Sequence, residues 1–148
     1  MPNHDLSTEQ ARDLRALAGT IIPPSETYDV PGADDEAIFK DILRSLERDR
    51  DDIVRALAQL ATLAGGAFTD LGPERRAEVA ATFRETGGAP LTALVRVVLL
   101  CYYRDDRVMR SLGQEPRPPF PKGHVVEQGD WSLLDPVRAR PSMYRRVD

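Results

Sequence analysis

PLTALVRVVLLCYY, running from Pro90 to Tyr103, is the stretch that decides the fold. It is apolar on nearly every face, and Arg96 is the one charge inside it. A helix that is apolar all round is a buried helix, so this segment is expected at the centre with the other elements packed around it. As a helix it reaches about 20 Å, whereas a membrane span needs roughly 20 residues of unbroken apolar sequence. The expectation is therefore the core of a soluble domain, with no membrane insertion.

Working back towards the N-terminus, Ala89-Pro90 opens this central helix and Gly87-Gly88 closes the one before it. That preceding helix starts at Gly72-Pro73, with proline at or near its first position and Val79, Ala80 and Phe83 as its buried stripe. Asp49, Asp51 and Asp52 lead into Ile53, Val54, Leu57, Leu60, Ala61 and Ala64, a helix that stops at Gly65-Gly66. Asp34, Asp35 and Glu36 do the same for Ile38, Phe39, Ile42, Leu43 and Leu46. Before them TIIPPSETYDVPG, Thr20 to Gly32, carries three prolines and a glycine that preclude regular structure, although Ile21, Ile22, Tyr28 and Val30 can bury side chains. Ser7 and Gln10 form a capping box for a first helix whose apolar positions Leu14, Leu17 and Ala18 run up to Gly19, read as the residue just past its end. Beyond the central helix, Asp105 or Asp106 caps a short sixth helix bearing Val108, Met109 and Leu112, closed by Gly113. The fold class expected is all-α: a single small bundle of five to six helices over residues 1–113, followed by a long, extended, proline-rich C-terminal arm over residues 114–148.

The arm, QEPRPPFPKGHVVEQGDWSLLDPVRARPSMYRRVD, has six prolines, two glycines and no helical period. Such a length without secondary structure signals disorder or a binding segment. Its Phe120, Trp131, Leu133, Leu134, Met143 and Tyr144 are residue types that disordered tails lack, which favours a segment that becomes ordered on another surface. The candidate partner-binding residues are Pro118, Pro119, Phe120, His124, Trp131, Leu133, Leu134 and Tyr144. The alternative is an arm folded over a pocket of its own bundle, which would make the chain a self-sufficient module for a small ligand.

The chain of 148 residues has a formal charge of −4 and a pI near 5.2, so the basic surface that nucleic acid or anionic membrane requires is not expected. Cys101 is the sole cysteine, which excludes an internal disulfide, a four-thiolate zinc or iron–sulfur site and c-type haem attachment. The two histidines, His4 and His124, give a metal site or a Ser-His-Asp arrangement little to build on. A third reading makes the chain an enzyme using His124 with Asp130. The acidic clusters each precede an apolar helical stripe and read as caps rather than as acid–base pairs. No G-x-G-x-x-G and no P-loop lysine motif is present, so no cofactor is expected on this chain alone. The first residues carry no apolar signal region and no twin arginine, and the expected location is the cytoplasm.

TIIPPSETYDVPGADDEAIFKDIL, the apolar helix running into CYYRDDRVMRSLG, and PRPPFPKG together resemble the gluconate 2-dehydrogenase subunit 3 family. The resemblance covers about Leu14 to Gly123, and its matching positions are Ile22, Pro23, Gly32, Ala33, Tyr102, Tyr103, Asp105, Leu112 and Gly113. Gln114 and Glu115 depart from it, standing where an aromatic residue and a second glycine are expected. What the resemblance implies is a non-catalytic small subunit. FAD and the catalytic residues would then lie on a large flavoprotein dehydrogenase subunit of the glucose–methanol–choline type, which oxidises sugars, sugar acids or related alcohols.

Overall fold

The computed structural model describes residues 6–117, 127–141 and 143. Residues 1–116 and 117–148 form separate compact units. Among the described residues the protein is all-α, as its sequence patterning implies, and the only β pairing is an isolated bridge.

The first unit holds six helices: α1 (Thr8–Ile21), α2 (Glu36–Arg44), α3 (Arg50–Ala64), α4 (Pro73–Thr86), α5 (Gly88–Tyr103) and α6 (Asp106–Ser111). Local chemistry fixes most of their ends. Ser7 Oγ accepts from the Gln10 N–H while Gln10 Oε1 accepts from the Ser7 N–H, so a complete capping box starts α1. Asp35 Oδ1 accepts from the Ala37 N–H to start α2, and Asp105 Oδ1 accepts from the Arg107 N–H to start α6. Gly65 ends α3 in the left-handed region at φ 73°. Between α4 and α5 the chain turns at Gly87 and Gly88, with φ of 61° and 88°, dihedrals that residues with a Cβ adopt only under strain.

Leu14 and Leu17 of α1, Ile38 and Ile42 of α2, Ile53 and Leu60 of α3, Val79 and Phe83 of α4, Leu94 and Val98 of α5 and Val108 of α6 meet in one buried core. Phe68, in the 3-10 turn Phe68–Asp70, is wholly buried among them. α3 lies along α5 more extensively than any other helix pair, and α4 rests on α3 and α1. Asp13 is a buried carboxylate at the α1 end of this core. Its Oδ1 accepts from the Thr69 N–H at 2.9 Å and from Thr69 Oγ1 at 2.6 Å, joining α1 to the 3-10 turn. Arg76 of α4 holds the same turn from the other side by donating to the carbonyls of Phe68 and Thr69.

Four expectations need correction. Gly19 lies inside α1 instead of just past it, and the helix runs on to Ile21. A Cβ at Gly19 would stand 2.8 Å from Asp34 Cγ, so glycine is there to admit Asp34, not to end the helix. Asp49 makes no side-chain cap for α3; its carboxylate faces Arg96 of α5 instead. α5 is not buried all round, because Leu99, Leu100 and Tyr103 are exposed. The fourth concerns the second unit, where a 3-10 turn (Trp131–Leu134) leads into α7 (Asp135–Arg138) within a stretch read as lacking helix. Asp130 starts that turn by accepting from the Ser132 N–H and hydroxyl, and Pro136 sits at the head of α7.

Candidate partner-binding surfaces

Of the candidate binding residues, Trp131, Leu133 and Leu134 fall together in the 3-10 turn Trp131–Leu134 of the second unit. Trp131 is 61% exposed and Leu133 74% exposed, with Leu134 and Val137 also in solvent. The turn is nevertheless ordered by its own bonds, since the Trp131 indole N–H donates to Gln128 Oε1 at 3.1 Å and Asp130 supplies the cap. Exposing a large apolar side chain forgoes about 1.5–3 kcal/mol of burial, so these side chains are unusual among the exposed residues of the turn. Pro118, Pro119, Phe120, His124 and Tyr144 lie outside the described residues. Asp130, paired with His124 in the enzyme reading, has its carboxyl lowered below the usual range by the Ser132 hydroxyl it accepts from.

A second apolar surface, unforeseen from sequence, lies on the first unit. Leu91, Thr92, Val95, Arg96, Leu99 and Leu100 line the outer side of α5, where Leu100 is 60% exposed. Tyr103 continues this side at 52% exposure, its ring edge-on to the buried Tyr102 ring at 5.2 Å. The signal was available: Arg96 marks the wet side of the helix, and positions three, four and seven residues further on share that side. Leu91 and Val95 also form one wall of a groove of about 470 Å³ whose other walls are Leu17, Thr20 and Ile21 of α1 and Ala77, Ala80, Ala81, Phe83 and Arg84 of α4.

Polar side chains tie the opposite edge of α5 to α2. Arg104 Nε donates to Asp41 Oδ2 at 2.6 Å and its Nη2 donates to Ser45 Oγ at 2.6 Å and to Cys101 Sγ at 3.5 Å. Cys101 is a buried free thiol, and burial pushes its pKa up, which makes it an unreactive core residue. Arg107 grips Asp35 and Asp105, holding both carboxyls below their usual range. Beside Arg107 an open cleft of about 730 Å³ runs between the segment 24–31 and α6, lined also by Tyr28, Asp29, Arg110 and Ser111. The segment closes on itself through paired backbone bonds between Ser25 and Val30.

Among the described residues no cluster of three or more His, Cys, Asp or Glu side chains is placed to hold a metal, and no helix is long and apolar enough to cross a membrane. No family model, no curated protein and no solved structure matches the chain.

Proposed function

We propose that this chain is the non-catalytic small subunit of a cytoplasmic FAD-dependent sugar or glycoside dehydrogenase, stabilising and clamping the larger subunit that bears the flavin. The observation that carries the reading is the apolar knob of Trp131, Leu133, Leu134 and Val137, shaped by its own capping bonds and not covered within its own unit. A knob already in shape loses little conformational freedom when it is covered, so less of the burial energy of its aromatic and aliphatic side chains is spent on ordering. The partner's class comes from the resemblance carried by the segment 20–43, by CYYRDDRVMRSLG and by PRPPFPKG. On this reading the chain contributes no group to the reaction and holds no FAD; sugar oxidation belongs to the larger chain.

The test is to tag the chain in the cells that make it and purify under mild conditions. The expected product is a yellow complex containing a larger chain, with sugar dehydrogenase activity towards an artificial electron acceptor. Changing Trp131→Ala and Leu133→Ala together should shed the yellow chain. A colourless single species from the unaltered protein would sink the proposal.

A second reading, a self-contained module for a small ligand, draws support from the cleft beside Arg107. Against it, Arg107 already spends its donors on Asp35 and Asp105.

A further inference from the structure

We draw no further inference here: the strongest candidate, the apolar groove between α1, α4 and α5 that continues along the outer side of α5, carries nothing because nothing in the structure shows what covers it.

Discussion

Arg107 donates to both carboxylate oxygens of Asp35, a residue 72 positions earlier, through Nη1 at 3.2 Å and Nη2 at 2.7 Å. The same guanidinium donates to Asp105 through Nε and Nη2, both at 3.0 Å. Asp35 caps α2 and Asp105 caps α6, so one cation holds two helix starts together. Arg107→Ala is expected to lower the free energy of unfolding by about 1–2 kcal/mol, the modest figure reflecting a side chain that is still partly in water. Lysine cannot reproduce the two-pronged grip, so Arg107→Lys should recover less than half of that. Urea denaturation at neutral pH measures both; full rescue by lysine would show that charge alone matters.

The same cluster sets an acid limit. Asp35 and Asp105 have their pKa lowered in the folded protein, chiefly by the Arg107 hydrogen bonds. A carboxyl that binds its proton less readily when folded adds stability above its unfolded pKa, near 3.9, and that contribution drains away as pH falls through the lower folded value. The gap in melting temperature between wild type and Arg107→Ala should therefore be full at about pH 6 and close as pH approaches about 2. A gap that stays constant over this range would contradict the assignment.

Removing the buried acceptor of α1 should cost more than removing a surface pair. Asp13→Ala leaves the Thr69 N–H and hydroxyl without their acceptor and is expected to destabilise by about 2–3 kcal/mol. Asp13→Asn keeps one carbonyl oxygen at that place and should cost about half as much. Thermal melts of the two variants, compared with wild type, check the order.

Gly19→Ala reverses an ordinary rule. Alanine in a helix interior gains up to about 1 kcal/mol over glycine from propensity alone. Here the new methyl would sit 2.8 Å from Asp34 Cγ, which can turn about χ1, and 3.0 Å from Asp34 Cβ, which only a backbone shift can move. The substitution should be net destabilising by about 1 kcal/mol, and a Gly19→Ala protein that melts higher than wild type would show that the segment after Asp34 yields easily.

Helix order and most helix ends were legible in the sequence because they depend on chemistry within four residues. Ser7 with Gln10, Asp35, Pro73, Gly65 and Asp105 all stand where the structure uses them. What escaped depends on distant partners. Asp49 looks like a cap until Arg96 arrives from 47 positions away, and Gly19 looks like a stop until Asp34 folds beneath it. The misreading of α5 has another cause: uniform apolarity hides which side a helix turns outward, and only Arg96 broke the uniformity. The helical segment at 131–138 was overlooked because prolines outweighed the local signals of Asp130 and Ser132. Residue type was enough to mark Trp131, Leu133 and Leu134 as candidates, and the structure sets them in one exposed turn, whereas the α1–α4–α5 groove exists only once three separate helices converge.

The corner at Gly87-Gly88 fixes how far α4 and α5 stand apart. Because α4 and α5 are joined by two backbone dihedral pairs and no intervening loop, the gap between them is machined into the main chain and does not wait for side chains to part. A residue with a Cβ at Gly87 would meet open space but strain the φ 61° corner, so its cost would fall on the spacing of α4 and α5 and not on a steric clash.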